Sequence, residues 1–224
     1  MHRVQKLLSN YGYCSRRKAE ELIKEGRVRV NSKVITIGDK ADLKDKIYVD
    51  DKLVGKDKFV YLMFNKPVGC VTALNDKHYK TVMEYIKIQE RVFPVGRLDY
   101  NTSGLLFLTN DGDFSNKVIH PRYEVEKTYL VTLDEEITLD DIESIRKGVS
   151  LDDGKTAPAK VSKKGLIVEI IIHEGKNRIV RRIIAKLGYR IKSLKRIKIG
   201  KVNLGSLEEG KFRKLNSKEI ELFR

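Results

Sequence analysis

Residues Val95 to Gly112 read VGRLDYNTSGLLFLTNDG, a polar turn that runs directly into an apolar strand. The run Leu105–Leu108 is wholly apolar, and the residues just before it favour turns. A short apolar run bounded by turn residues predicts a buried strand. Asp99 lies before this strand and two residues after Arg97, so it can be a turn former, a metal ligand or a reactive carboxylate.

The polar residues that begin at Asp99 imitate the start of a calcium-binding loop. Such a loop needs a bidentate acid at its twelfth position, where this chain has Asn110, so calcium is excluded. The turn interpretation stays open, because Asp, Asn, Thr, Ser and Gly favour local side-chain to backbone bonding. A carboxylate beside an arginine and a buried strand is also partly desolvated next to a cation, which is typical of catalytic groups.

Composition narrows the classes of partner. The 224 residues include 46 Lys and Arg against 31 Asp and Glu, and the net charge of +15 favours polyanions such as nucleic acid. No apolar run reaches membrane-spanning length, and MHRVQKLLSNYG does not resemble a secretion signal. Only Cys14 and Cys70 are present, which favours a reduced cytoplasmic setting. The histidines form no zinc-ligand spacing with them, so the sequence predicts no metal site.

Residues 1–55 are predicted to form a small basic RNA-binding module, with 13 basic and 8 acidic side chains. Apolar spacing predicts one helix over Arg3–Asn10 and a second that begins after Ser15 and ends at Gly26. RVRVN and KVI then predict a short hairpin. The clustered cations that would grip RNA phosphates are Arg16, Arg17, Lys18, Arg27 and Arg29. A solvated charged surface has the same composition, so that alternative stays open.

This module also resembles a known one. RVQKLLSNYGYCSRRKAEELIKEGRVRVNSKVITIGDKA is similar to the αL motif, which is shared by a small-subunit ribosomal protein, bacterial rRNA-modifying enzymes and some tRNA synthetases. The resemblance implies docking onto structured RNA through shape and backbone, with little reading of bases. The lysine-rich segment 51–58 is then the predicted linker.

Residues 59–224 are predicted to form a second, catalytic domain. Runs rich in β-branched or aromatic residues predict strands at FVYLMFN, GLLFLTN, KTYLVTL and GLIVEIIIHE. Helical spacing predicts helices at TVMEYIKI, EITLDDIESIRKG and NRIVRRIIAKLG. The fold class is therefore α+β, with a mixed, mainly antiparallel sheet and flanking helices behind the N-terminal helix–helix–hairpin module. No nucleotide-binding loop or Ser/His/Asp signature occurs, so the sequence predicts chemistry without a cofactor.

GRLDYNTSGLLFLTNDG resembles the catalytic segment of pseudouridine synthases, in particular the bacterial group that modifies single uridines in ribosomal RNA. NKPVG, KTYLV, EGKNRIVRR and IGKVNLGSLEEGKFRKL match the other motifs, so the resemblance extends over nearly the whole chain. It implies an enzyme that cuts the uracil N1–C1′ bond, turns the base and rejoins it through C5. GVSLDDGKTAPAKV and RVFPVGRLDYNTSGLL are most similar to synthases of large-subunit rRNA, although small-subunit synthases share most motifs.

The resemblance implies three catalytic residues. Asp99 is the carboxylate at the ribose, either as nucleophile or as base; Tyr129 stacks on the extruded uracil; Arg181 pairs with Asp99 and keeps it ionised. Helix periodicity places Arg181 at the edge of the apolar face, but Arg182 lies near an edge as well. Tyr129 also fits an ordinary core tyrosine. The run Leu105–Leu108 is predicted to form a dry floor under the site.

The segment Gly175–Lys201 holds 11 Lys or Arg among 27 residues and no acid. A solvated helix face normally mixes signs, so this one-sided charge favours a surface that follows RNA phosphates. The predicted RNA contacts in this domain are Lys66, Arg97, Lys176, Arg178 and Arg182. For Lys66 and Arg97, an ordinary role as surface charges remains the alternative.

The main hypothesis is a cofactor-free rRNA pseudouridine synthase. It is expected to be a cytoplasmic monomer that acts on ribosomal RNA or an assembly intermediate, without a membrane. The alternatives are a non-catalytic ribosome assembly factor, in which Asp99 only shapes a turn, and a glycosidase-like RNA hydrolase. All three bind RNA, so turnover discriminates them and binding does not.

Overall fold

The structure is a computed structural model that describes residues 1–55 and 58–223. Contacts divide the chain into two compact units, the first built mainly from the residues before Tyr61 and the second from most of the chain after it. Lys56 and Asp57, which belong to the predicted linker, lie outside the described residues. No helix in the described ranges is long and apolar enough to cross a membrane.

The described part of the first unit combines two helices with small antiparallel sheets. Its elements are β1 (His2–Arg3), α1 (Val4–Asn10), α2 (Arg16–Lys24), β2 (Val28–Val30), β3 (Lys33–Val34), β4 (Lys40–Ala41), β5 (Ile47–Val49) and β6 (Lys52–Leu53). Strands in the order β3-β2-β5-β6 form one sheet, and β1 pairs with β4. The predicted two helices and hairpin are therefore present, with further strands that the sequence analysis did not include.

Helix α2 begins where its N-cap residue predicts. The Ser15 side chain accepts a hydrogen bond from the Lys18 amide at 3.1 Å, which satisfies one of the unpaired donors of the first turn. Leu22 and Ile23 are buried in a core shared with α1 and the sheet. Gly26 follows with φ +71°, a left-handed conformation that glycine adopts without a steric penalty.

The first half of the predicted linker is instead a strand. Lys52 and Leu53 form β6, which pairs with β5. The turn between them consists of Asp50 and Asp51, whose φ angles are 49° and 59°. Asp tolerates this left-handed conformation better than most residues, and two such residues in succession make a tight hairpin turn. The predicted linker began at Asp51 and treated it only as a polar residue. The prediction was therefore wrong for Lys52 and Leu53, which form a strand.

The second unit is organised around one large sheet. In chain order the remaining elements are β7 (Tyr61–Lys66), β8 (Phe93–Val95), β9 (Ser103–Thr109), α3 (Gly112–Ile119), β10 (Lys127–Leu133), α4 (Leu139–Lys147), β11 (Ser150–Leu151), β12 (Gly154–Lys155), β13 (Lys160–Lys164), β14 (Ile167–Ile172), α5 (Ile179–Lys186), β15 (Ile191–Ile199), β16 (Val202–Asn203), β17 (Phe212–Lys214) and α6 (Ser217–Glu221). The sheet order is β13-β14-β10-β15-β9-β7-β17, with β16 beside β15 and β8 beside β9.

Strand directions make this sheet mixed. β9 and β15 pair in parallel, whereas β13·β14, β14·β10, β10·β15, β15·β16 and β7·β17 are antiparallel. One apolar core packs α4 and α5 against β10 and β14, and another packs α3 against β7 and β9. The predicted α+β class with a mainly antiparallel sheet is therefore confirmed.

Two element predictions differ from the structure. TVMEYIKI contains only a 3₁₀ turn, Val82–Tyr85, which a capping box between Thr81 and Glu84 holds. Helix α5 begins only at Ile179, because Arg178 adopts a left-handed conformation with φ 50°. Strand β15 and helix α3 were not predicted.

Candidate active site

Asp99 lies in the turn between β8 and β9. The Thr102 amide donates to the Asp99 carbonyl oxygen at 3.0 Å and closes the turn. The Asp99 side chain is 30% exposed, and its carboxylate accepts no hydrogen bond from a residue in the described ranges. The backbone of Asp99 thus forms the turn, and its carboxylate remains available for another interaction.

Lys66 lies beneath this turn and holds it in place. Its side chain is completely buried at the end of β7, and its ammonium donates to the carbonyl oxygens of Pro67, Asp99 and Thr102 at 2.9, 3.1 and 3.0 Å. Burial is the main reason that the pKa of Lys66 lies below its usual value. The prediction that Lys66 contacts RNA is wrong, because this ammonium is out of reach of a phosphate and its three donors are occupied.

The loop after β7 adds further hydrogen bonds to the same turn. The Gly69 amide donates to the Tyr100 carbonyl oxygen at 3.0 Å. The Thr72 hydroxyl donates to the Leu98 carbonyl oxygen at 2.8 Å and accepts from the Leu98 amide at 3.2 Å. Asp99 is therefore fixed from both sides, as a preorganised reactive group requires.

Arg181 approaches Asp99 from α5. Its Nε lies 3.7 Å from the Asp99 carboxylate, close enough for an ion pair but too far for a hydrogen bond. Its Nη2 donates to the Asn101 carbonyl oxygen at 2.7 Å and to the Thr102 hydroxyl at 3.2 Å. Burial lowers the pKa of Arg181, and the Asp99 charge opposes that shift. The guanidinium thus binds the turn directly and places positive charge beside the carboxylate.

Asp99, Tyr129 and Arg181 line one cavity of about 340 Å³, a volume typical of a small-molecule site. Tyr129 is half-buried on β10, where it lies opposite Arg196 of β15. The cavity therefore offers a carboxylate, a guanidinium and an aromatic ring on separate elements of one unit.

The predicted RNA contacts of this domain divide into two groups. Arg97 and Arg178 are exposed and line the cavity, as does the half-buried Lys176. Arg182 does not line it and instead forms an ion pair with Asp153, with one nitrogen–oxygen distance of 3.0 Å. The geometry therefore brings three of the predicted cations to Asp99 and leaves Arg182 elsewhere on α5.

The predicted cations of the first unit differ in their partners. Arg16 and Arg17 are exposed on α2, and no carboxylate in the described part of the chain pairs with either of them. Lys18 pairs with Glu21 at 3.0 Å. Arg27 binds both oxygens of Asp50 and also contacts Glu25.

The sequence analysis did not identify two of the cations that line the cavity. Lys127 and Arg196 have exposures of only 9% and 4%, and both line the cavity. Burial, followed by repulsion from Arg196, lowers the pKa of Lys127 to about 8. The alternation of side chains along a strand could have identified Lys127. Residues two apart on a strand share a face, and Tyr129, two residues after Lys127, was already a predicted site residue.

The apolar lining of the cavity is formed by other residues than the predicted dry floor. Leu105–Leu108 are completely buried, but none of them lines the cavity. The apolar part of the lining instead includes Val118, Leu194 and Ile199. Across the described ranges, no three His, Cys, Asp or Glu side chains are arranged to hold a metal ion.

Comparison with known proteins gives matches along the whole chain. Residues 60–186 match the family described as RNA pseudouridylate synthase, and residues 2–54 match the S4 domain. Ribosomal large subunit pseudouridine synthase B of Bacillus subtilis is 43% identical, with 100% of this chain and 96% of the relative covered. The dual-specificity RNA pseudouridine synthase RluF of Escherichia coli K12 is 37% identical, with 99% and 78% covered. A crystal structure of a pseudouridylate synthase superposes with a TM-score of 0.75 at 33% identity and covers both chains completely.

Proposed function

Because the chain belongs to the RNA pseudouridylate synthase family and carries an S4 domain, we propose that it converts a uridine of large-subunit ribosomal RNA to pseudouridine. The similarity to the large-subunit enzyme of Bacillus subtilis supports this choice of RNA. The observation that carries the proposal is the Asp99 carboxylate 3.7 Å from Arg181 in a cavity that Tyr129 also lines. A turn that only shaped an assembly factor would not need this carboxylate beside a partly buried cation.

Each of the three residues has one role in this proposal. Asp99 reacts at the ribose, either by attacking C1′ or by removing the C2′ proton, and the N1–C1′ bond breaks. Tyr129 stacks on the uracil while the base turns, since an aromatic ring offers a flat surface without fixing one orientation. Arg181 holds the Asp99 turn and places positive charge beside its carboxylate. C5 then bonds to C1′ while the Asp99–C1′ bond breaks or, in the other route, while Asp99 returns the proton to C2′. The proton from C5 is finally transferred to N1.

The remaining parts of the proposal concern RNA binding. Residues 1–55 dock onto structured RNA, and residues 59–224 carry the reaction, with Arg97, Lys176 and Arg178 near the phosphates of the target nucleotide. Extruding that nucleotide costs roughly a few kcal/mol, which RNA contacts offset.

We further propose a monomer that works in the cytoplasm, where the two free cysteines, Cys14 and Cys70, stay reduced.

The first prediction is turnover itself. The purified chain, incubated with large-subunit and small-subunit rRNA transcripts in separate reactions, is expected to form pseudouridine at one site or a few sites of the large-subunit RNA. Chemical mapping of pseudouridine reads out both position and yield. Absence of pseudouridine from both RNAs would refute the proposed function, as would an unchanged set of pseudouridines in large-subunit RNA from cells that lack the protein. Product in small-subunit RNA alone would refute the choice of RNA.

The second prediction concerns the exposed pair on α2. Replacing Arg16 and Arg17 together by Gln is expected to weaken rRNA binding and to reduce the salt dependence of log Kd by about 1.5, since each lost phosphate contact removes about 0.7–0.9. Filter binding across a range of salt concentrations measures this slope.

Arg27→Gln is the comparison variant. Arg27 is also exposed and basic, but Asp50 and Glu25 already occupy its guanidinium. We therefore expect a change in salt slope below about 0.5, because little counterion is released at a cation that is already paired. Equal slopes for the double variant and the unmodified chain would exclude α2 from the RNA-binding surface.

A further inference from the structure

Lys127 and Arg196 form a pair of buried cations that both line the cavity. They lie on the neighbouring strands β10 and β15, and Tyr129 is directly opposite Arg196. Arg196 donates from Nε to the Leu105 carbonyl oxygen at 2.8 Å, but its Nη2 finds no hydrogen-bond partner among residues 1–55 and 58–223. Within the described ranges the Lys127 ammonium has only a long contact, 3.4 Å, to the His173 carbonyl oxygen. No carboxylate in those ranges pairs with either cation.

This arrangement is unfavourable unless an anion arrives. A buried charge normally has a partner of opposite sign, because burial removes its hydration. The low pKa of Lys127, about 8, reflects the same cost. The acids that line the cavity pair with other cations: Asp99 lies beside Arg181, and Glu174 pairs with Lys176 at 3.5 Å.

An RNA phosphate is a poor candidate for this anion. A phosphodiester remains attached to the RNA strand, so exposed cations such as Arg97 and Arg178 are the ones that it can reach. Lys127 and Arg196 are more than nine-tenths buried and line the same cavity as Tyr129. Under the proposed function, the group that enters this part of the cavity is the extruded base.

The proposed reaction generates an anion in the base. When the N1–C1′ bond breaks, its electron pair stays on N1, and the charge spreads over N1, C5 and the two carbonyl oxygens. This holds whether Asp99 bonds to C1′ or takes the C2′ proton. The bound uridine is neutral before that step, and pseudouridine is neutral after C5 has bonded to C1′ and its proton has moved to N1.

We propose that Lys127 and Arg196 form an anion subsite that binds the detached uracil anion between cleavage of the N1–C1′ bond and formation of the C5–C1′ bond. The inference rests on the proposed function and adds to it the groups that receive the leaving base. Because the subsite acts on charge that appears only during the reaction, it raises the rate without strengthening RNA binding.

Binding of small pyrimidines tests the subsite without turnover. 5-Nitrouracil is a monoanion at neutral pH, whereas uracil is neutral and has the same ring. In ligand-observed NMR titrations at pH 7, the full-length protein is expected to bind 5-nitrouracil at least about tenfold more tightly than uracil. Lys127→Met should reduce this preference to about threefold or less, and Lys127→Arg should keep it. Lys160→Met is the control, because Lys160 is an exposed residue of β13 that pairs with Glu126 and lies outside the cavity lining.

Kinetics on the RNA supply the second readout. Lys127→Met is expected to lower the single-turnover rate about 100-fold while the rRNA Kd stays within about threefold. If Lys127→Met retains the preference for 5-nitrouracil, or isomerises uridine at the unmodified rate, the subsite is refuted while the proposed function stands. A chain that forms no pseudouridine at all refutes the proposed function first. Thermal unfolding of each variant verifies that it is folded.

Discussion

Asp99→Asn should stop pseudouridine formation, with a single-turnover rate at least about 10⁴-fold lower and an rRNA Kd within about threefold. The amide has nearly the size of the carboxylate, so the turn and its hydrogen bonds to Lys66 should persist, since they involve the backbone. What disappears is the negative oxygen that attacks C1′ or removes the C2′ proton. Chemical mapping of pseudouridine after single-turnover incubation measures the loss.

Asp153→Asn is a matched control, because Asp153 also pairs with an α5 arginine, Arg182, but lies outside the cavity lining. Its rate should stay within about twofold of that of the unmodified chain. Pseudouridine formation by Asp99→Asn at the unmodified rate would remove Asp99 from the reaction. A loss of RNA affinity as large as the loss of rate would instead assign Asp99 to binding, as the assembly-factor hypothesis requires.

Gly104→Ala should lower the free energy of unfolding by about 3–5 kcal/mol. Gly104 lies in the parallel contact between β9 and β15, where it pairs with Arg196. A Cβ at this position would overlap the Arg196 carbonyl oxygen and lie 2.7 Å from the Arg196 amide nitrogen. Both groups are backbone of a central strand, so neither can move without disturbing the sheet. Denaturant unfolding measures the change, and turnover should fall with it because Arg196 lines the cavity.

Gly154→Ala separates the two causes of the loss of stability, which are the backbone strain and the overlap of the new Cβ with a neighbouring strand. Gly154 has φ +107°, close to the φ of +109° at Gly104, but a Cβ there would meet no atom within 4 Å. It should therefore cost only the backbone strain, about 1–2 kcal/mol. If the two variants unfold at the same denaturant concentration, the close approach of β9 to β15 contributes nothing to stability.

The sequence predicted those elements whose signal is local. Helix α2 follows from the apolar spacing of Leu22 and Ile23 and from the capping side chain of Ser15, all within one short segment. Strand β15 lacks such a signal, because IKSLKRIKI carries cations on both faces and resembles a solvated surface. Its pairing with β9 and β10 decides its conformation, and that pairing is set by residues far away in the chain.

The site residues also divide into those with a local signal in the sequence and those whose position depends on distant segments. The motif identified Asp99 and Arg181, and the structure brings their side chains to 3.7 Å. Their catalytic roles stay predictions until the variants are measured. The position of Lys66 could not be derived from its sequence, since a lysine that ends an apolar strand is normally exposed. Its burial depends on three carbonyl oxygens, and two of them, those of Asp99 and Thr102, reach Lys66 only in the folded chain.

The pairing of β7 with β17 has a consequence for synthesis on the ribosome. Phe64 lies opposite Phe212, and all six residues of β7 are buried in the folded chain. The edge of this apolar strand cannot be covered until translation has passed residue 214. Contacts between such distant segments slow folding, and an uncovered strand edge is prone to aggregation in the meantime. This edge of the nascent chain is therefore uncovered from the synthesis of residue 66 to at least that of residue 214.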